Sequence, residues 1–166
     1  EVVESPGGPA RVVADKGIDE VEFFIRTNKG EDLLPLRRIA SGGEVSRVML
    51  ALKRILADAD RVGTLVFDEI DAGIGGSISD VVAAKLSEVA RLRQVICITH
   101  LAQIAAAAEA HLAVEKVAAG GRTITRVIEV DGERRVQELA RMIAGAKPSK
   151  SALAHAEGML KPARQR

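Results

Sequence analysis

The 166-residue chain predicts an α/β fold, a largely parallel sheet flanked by helices and closed by a C-terminal β-hairpin and helices. Three observations predict it. Residues 63–68 and 94–99 are short, nearly continuous apolar runs, as in strands covered on both faces. The segments following 40 and 76 space their apolar residues by three and four, as amphipathic helices do. Gly120-Gly121 separates two β-rich runs, which is a hairpin signal. Strands alternating with helices in this order join in parallel, through right-handed crossovers.

In chain order, residues 1–10, with Ser5-Pro6-Gly7-Gly8-Pro9, read as a flexible leading segment. Residues 20–27 alternate Val21, Phe23 and Ile25 with Glu22, Phe24 and Arg26, which predicts a strand with one buried face. Asn28-Lys29-Gly30-Glu31 makes a turn, and residues 33–39 a connector containing Pro35. A helix over 43–57 carries Val45, Val48, Met49, Leu52, Ile55 and Leu56 as one stripe, and Ser41 with Glu44 three residues on forms a capping box at its start. A second helix presents Ile78, Val81, Val82, Leu86 and Val89 on one side. An alanine-rich helix covers 101–109, and hairpin strands cover 112–117 and 123–130. A helix over 133–144 is stopped by Gly145 and Pro148, and a last one covers 149–160.

Composition narrows the function classes. With 47% hydrophobic and 28% charged residues, the chain has the make-up of a globular domain with a sizeable core. Three Phe and no Trp or Tyr leave that core to Val, Ile, Leu and Ala, and argue against nucleic-acid binding by base stacking. A balance of 24 basic and 23 acidic residues points to neither nucleic acid nor membrane. The single cysteine, Cys97, excludes an internal disulfide and a Cys-based zinc site and fits a reducing compartment. No apolar run approaches the ~20 residues of a membrane span, and a chain starting at Glu1 without a signal-peptide pattern reads as a fragment of a longer protein.

Three short segments carry chemistry. Ser41-Gly42-Gly43-Glu44 opens a helix, where exposed backbone N–H groups and the helix dipole favour an anion and glycine lets a phosphate approach. The plainer reading is a capped helix after a tight turn. Asp68 and Glu69 end a buried strand, the edge where α/β sheets bind ligands. The first carboxylate suits Mg²⁺ held through water beside phosphates, and the second suits a base for an attacking water. His100 ends the next apolar strand, where an imidazole can donate to a terminal phosphate; His111 and His155 lack metal-ligand spacing and read as structural. Asp71-Ala72-Gly73-Ile74-Gly75-Gly76 fails as a dinucleotide fingerprint, because Ile78 stands where the third glycine belongs. That disfavours an α/β oxidoreductase. No Gly-x-x-x-x-Gly-Lys-Ser/Thr occurs, so a site with metal carboxylate, base and sensor lacks its phosphate cradle.

Together the segments resemble the C-terminal lobe of an ABC-type ATPase head of the SMC-like class: 40–44 the signature motif, with Ala40 for the usual leucine, 64–68 Walker B, Glu69 the catalytic glutamate, 71–76 the D-loop and His100 the switch histidine. Residues 39–53, 67–76 and 98–105 closely resemble the RecN family of bacterial DNA-repair proteins, with further likeness at 22–23, 28–31 and 138–145. The resemblance implies that residues 16–160 form the C-terminal half of the head, that 1–15 follow a coiled coil, and that 161–166 form a basic tail. It implies an N-terminal P-loop half of the same protein and a second head, which makes a homodimer around two ATP molecules. Ser41, Gly42, Gly43 and Glu44 would serve, in trans, the nucleotide of the opposite head. Asp68 would serve Mg²⁺ of its own head's ATP, Glu69 would polarise water, His100 would contact the γ-phosphate, and Asp71 and Gly73 would lie at the head interface. Family membership further implies DNA as a partner, double-strand-break repair by recombination, no membrane, and a cytoplasmic place at the bacterial nucleoid. An ATP-responsive dimerisation module without turnover is the alternative from another class.

Overall fold

The computed structural model describes residues 2–3, 11–12, 17, 21–26, 29–30, 32–38, 41–57 and 61–161. The chain divides into two units, Glu1–Ala40 and Ser41–Arg166. In the first, β1 (Val2–Val3) pairs antiparallel with β2 (Arg11–Val12), and β3 (Phe24–Ile25) with β4 (Leu34–Pro35). A 3-10 turn at Leu36–Arg38 follows, with Leu36 N donating to Phe23 O at 2.7 Å. The strand expected over 20–27 therefore makes only two ladder pairs, and its partner comes from the expected connector. Pro35 has no N–H to donate, which suits it to the end of a short edge strand. The leading segment expected to be loose contributes Val2–Val3 to a ladder. Most of that segment, and residues 162–166 of the basic tail, lie outside the described residues.

The second unit is the α/β lobe. Its order is α1 (Gly42–Ile55), β5 (Thr64–Phe67), α2 (Ser77–Ala90), β6 (Gln94–Cys97), α3 (Ala102–Ala107), β7 (Leu112–Ala119), β8 (Arg122–Glu129), α4 (Gly132–Ala144) and α5 (Lys150–Leu160). β5 and β6 pair in parallel from Thr64↔Gln94 to Phe67↔Cys97, so the parallel part is two strands among the described residues. A first core joins Leu50 of α1, Leu65 and Phe67 of β5, Ile70, four residues of α2 and Ile104 of α3. A second core packs α3, α4 and α5 through Ala102, Ala105, Ala106, Leu139, Ala140, Ala152 and Ala156. Alanine at six of the seven positions lets these helices approach closely, which is how a chain almost without aromatics fills its interior.

Two expected faces differ. The strands are covered on one side only: Leu65 and Phe67 are buried, while Val66 is 63% exposed and Ile96 and Ile98 are also open. The reason is that every described helix that joins this core packs on the Leu65–Phe67 side. In α1 the apolar stripe does not face the core. Gly43 and Leu50 are its buried residues, whereas Val45, Met49, Ile55 and Leu56 stand open. The inward side runs Gly43, Arg47, Leu50, Arg54 at helical spacing, and Arg54 ends in an ion pair with Glu88 of α2. In α2 the buried stripe is Ser79, Val82, Ala83, Leu86 and Val89, while Ile78 and Val81 point outward.

The hairpin pairs eight residues a side, from Leu112↔Glu129 to Ala119↔Arg122. Gly120 and Gly121 both take left-handed φ, 57° and 76°, as a two-residue hairpin turn matching strand twist requires. At its base, Arg135 of α4 reaches across to the C-terminal end of α3. Its guanidinium donates to the carbonyls of Ala105 (3.1 Å), Ala106 (3.3 Å), Ala108 and Glu109 (3.3 Å), groups that a six-residue helix cannot satisfy itself. Beside it His111 is buried, and burial followed by the Arg135 charge holds its imidazole below the usual range, with Glu138 opposing. Both His111 and His155 fall outside the site described next. No helix among the described residues is long and apolar enough to cross a membrane.

Candidate functional site

Parallel pairing sets the C-terminal ends of β5 and β6 side by side, with Ile98 N donating to Phe67 O at 2.9 Å. Asp68 and Glu69 leave one strand there, and Thr99 and His100 leave the other. The N-terminus of α1 closes against the same edge. An ideal Cβ on Gly42 would lie 2.5 Å from Glu69 Oε2. One on Gly43 would meet Glu69 O at 2.8 Å, Ala72 Cβ at 2.9 Å and Ala72 O at 3.0 Å. The two glycines thus allow α1 to seat on the loop after β5 within one chain, a use in addition to the anion approach their sequence suggests. Gly43 is buried by that loop, while Gly42 stays exposed.

The capping box expected at Ser41 does not form. Ser41 is extended (φ −107°, ψ 124°), and its hydroxyl makes no cap hydrogen bond. The first helical bond runs instead from Val45 N to Ser41 O at 3.1 Å. Glu44 is half-buried in the first turn of α1, where its charge complements the dipole.

Glu69 has φ 55°, the left-handed region, and is the non-glycine residue with positive φ among the described residues. Such a conformation costs about 1 kcal/mol or more in an L-residue and persists where surroundings over-determine it. The surroundings here are specific. Glu69 N donates to Asp68 Oδ1 at 2.8 Å, and Ala72 N donates to Glu69 O at 2.9 Å, closing a turn. Ser46 Oγ of α1 donates to Asp68 O at 2.8 Å. Arg47 Nη1 donates to Ile70 O and Ala72 O, each at 3.0 Å. The side chain of Ile70 is fully buried in the core below. Asp68 and Glu69 themselves present exposed side chains.

Asp71 turns inward. Its Oδ2 accepts from Thr99 Oγ1 at 2.6 Å and His100 N at 2.8 Å, and His100 Nδ1 lies 2.9 Å from it in ion-pair contact. Burial alone raises this carboxyl, but the Thr99 hydroxyl, the His100 amide and the His100 ring together hold it below the ordinary value of 3.8. The imidazole of His100 is thus fixed at Nδ1 while the ring stays 74% exposed. The carboxylate of Asp71 is turned inward in this chain, and 4% of the residue is exposed. Gly73, two residues on, is exposed at φ 72°. Cys97 at the end of β6 has its thiol pushed up to about 11 by burial and then by Asp71 and Asp68, so it is a protonated packing residue.

The structure therefore brings Gly42, Gly43, Asp68, Glu69, Asp71 and His100 to one sheet edge. Ser41 and Glu44 sit at the same helix end, and the Ser41 hydroxyl makes no cap hydrogen bond. Reasoning from sequence missed Ser46, Arg47 and Thr99. The signal for Ser46 and Arg47 is the spacing of Gly43, Ser46, Arg47 and Leu50 on one side of α1, and that for Thr99 is its place beside His100 at the strand end. For a metal, the donor set is lean: no group of three or more His, Cys, Asp or Glu side chains is poised to hold an ion among the described residues. Mg²⁺ bound through water by one exposed carboxylate beside substrate phosphates fits that set, since Mg²⁺ seldom uses an all-protein cage.

No family model matches the chain. Curated relatives do. The DNA repair protein RecN of Treponema pallidum is 56% identical over 151 residues, covering 90% of this chain and 26% of its own length. RecN of Bacillus subtilis is 44% identical over 96% of this chain and 27% of its own, and RecN of Deinococcus radiodurans 49% over 87% and 25%. The chain thus spans about a quarter of the length of the curated relatives it matches. Among solved structures, an SMC ATPase studied for ATP-driven dimerization and DNA-stimulated activation superposes with TM-score 0.52 at 22% identity, covering 86% of each chain, a likeness of fold. The Smc head domain with a coiled coil and joint from Pyrococcus yayanosii superposes with TM-score 0.55 at 26% identity, over 71% of this chain and 22% of that one.

Proposed function

The chain belongs to the RecN family, and from that premise we propose that it is the C-terminal half of an ATPase head whose other half supplies the P-loop. The observation that carries this reading is Glu69, an acid held in a left-handed conformation at a strand end, against the glycines that open α1. In this reading 64–68 is Walker B, 40–44 the signature motif and 71–76 the D-loop.

The geometry supports these roles. Glu69, exposed beside Asp68, is placed to orient and deprotonate a water aimed at the γ-phosphate of ATP. Asp68 would hold Mg²⁺ through water, and the ion would supply charge neutralisation to the phosphates. His100 is oriented by Asp71 through Nδ1, which leaves Nε2 outward for the γ-phosphate. The exposed start of α1, with Ser41 and Gly42, offers N–H groups to the nucleotide of a second head. Residues 16–160 would make up this half-head, 1–15 would lead in from a coiled coil, and 161–166 would be a basic tail. The open face with Val66, Ile96 and Ile98 supports a covering partner, and the longer relatives support the P-loop half as that partner. DNA as a partner, head dimerisation with Asp71 and Gly73 near the interface, repair by recombination and a nucleoid location follow from the family. A dimerisation module without turnover has no use for a strained acid at position 69.

Turnover tests this. The chain alone should hydrolyse no ATP, and the matching P-loop half should restore activity. Glu69→Gln in the restored protein should lower kcat by on the order of 10²-fold or more while prolonging the ATP-held dimer. Normal turnover by Glu69→Gln would sink the assignment of the base.

A further inference from the structure

We propose that Arg47 is a positioning residue for Glu69: it holds the strained loop in which that carboxylate sits and touches neither nucleotide nor water itself. The proposal rests on the reading of Glu69 as the base.

One nitrogen, Nη1, donates to two carbonyls, Ile70 O and Ala72 O, each at 3.0 Å. These flank Asp71, whose carboxylate orients His100. Ala72 N closes the turn onto Glu69 O at 2.9 Å, so Arg47 grips the same short turn that sets the φ of Glu69. Ser46, the residue before, fixes the other end by donating to Asp68 O at 2.8 Å. Two adjacent residues of α1 therefore bracket Glu69, one bonding its predecessor and one its followers. A guanidinium suits the second task, because its always charged Nη1 holds two N–H groups in a fixed plane, one for each oxygen.

The geometry also ties two distant jobs. Gly42 and Gly43 pack against Glu69 and Ala72 within one helical turn of Arg47. The helix end that would meet one nucleotide and the acid that would act on the other are thus parts of one rigid piece. Loss of Arg47 frees the loop without removing any group that binds ATP, so the rate should fall and the affinity should not.

The experiment uses the full-length protein, P-loop half included. Arg47→Met should lower kcat on the order of 10²-fold, the scale of a small misplacement of a reacting group, while KM for ATP stays within about twofold. Arg47→Lys, a point charge, should recover part of the rate. In a Glu69→Gln background Arg47→Met should slow the reaction no further, since it acts through the missing carboxylate. Ser46→Ala keeps the proposal testable if Arg47→Met fails to fold: it should lower kcat about tenfold, and Ser46→Thr should restore it. An unchanged kcat in Arg47→Met would overturn the inference, as would a parallel change in KM and melting temperature, or a further loss of the same size on top of Glu69→Gln. Those outcomes leave the base assignment standing if Glu69→Gln is inactive and wild type is active; an inactive wild type or an active Glu69→Gln sinks the reading beneath it.

Discussion

Two arginines in this chain do the same chemistry in different places. Arg47 and Arg135 each donate to backbone carbonyls far along the sequence, 23 and 25 residues away for the first and 26 to 30 for the second. Arg135 completes a regular element: its oxygens are the orphans at the end of α3, which any buried helix end must satisfy. Arg47 completes an irregular one, a turn containing a residue in a conformation it would not choose. The difference teaches where a shared interaction is spent. At α3 it stabilises, and around Glu69 it shapes.

Substitutions should separate the two. The largest expected effect on stability is at Arg135: Arg135→Met leaves two part-buried carbonyls and two exposed ones without this donor and should cost about 3 kcal/mol in urea unfolding of this chain. Activity per folded molecule in the full-length protein should be unchanged, and a loss of kcat without loss of stability would erase the contrast. Gly43→Ala should come next, at about 1–3 kcal/mol, because its Cβ would meet Glu69 O and Ala72 within 3.0 Å. Unlike Arg135→Met it should also depress kcat, since the atoms that must yield belong to the turn of Glu69.

Thr99→Val should have the smallest effect, about 1 kcal/mol near neutral pH. Its signature is in acid. The carboxyl of Asp71 lies below 3.8 in the fold, so its contribution is fully present above that value and is lost as pH falls through the lower folded one. Removing the Thr99 hydroxyl leaves burial less opposed, so acid unfolding of Thr99→Val should begin at higher pH than in wild type. Coincident acid limbs would show that Thr99 does not hold Asp71.

Much of this was legible beforehand. Apolar runs gave away β5 and β6, and strand ends pointed to Asp68, Glu69 and His100 because chemistry gathers at that edge of α/β sheets. Arg47 was not legible, because its partners are carbonyl oxygens, which carry no residue identity. The orientation of α1 was misread for a related reason. Its apolar stripe is the stronger pattern, yet the side facing the core mixes Gly43, Arg47, Leu50 and Arg54 and earns its place through close approach and hydrogen bonds. The open faces of β5 and β6 were misread because a continuous apolar run does not say which side the helices cover.

The left-handed backbone at Glu69 sets fitness against durability. Glycine there would relax the turn and lower the entropy-corrected strain by something on the order of 1 kcal/mol, so a screen for thermal tolerance alone should enrich Glu69→Gly. Such a variant would be the better folded protein and, on the proposed reading, the dead enzyme. On that reading, selection for turnover keeps a carboxylate at a position whose backbone asks for none.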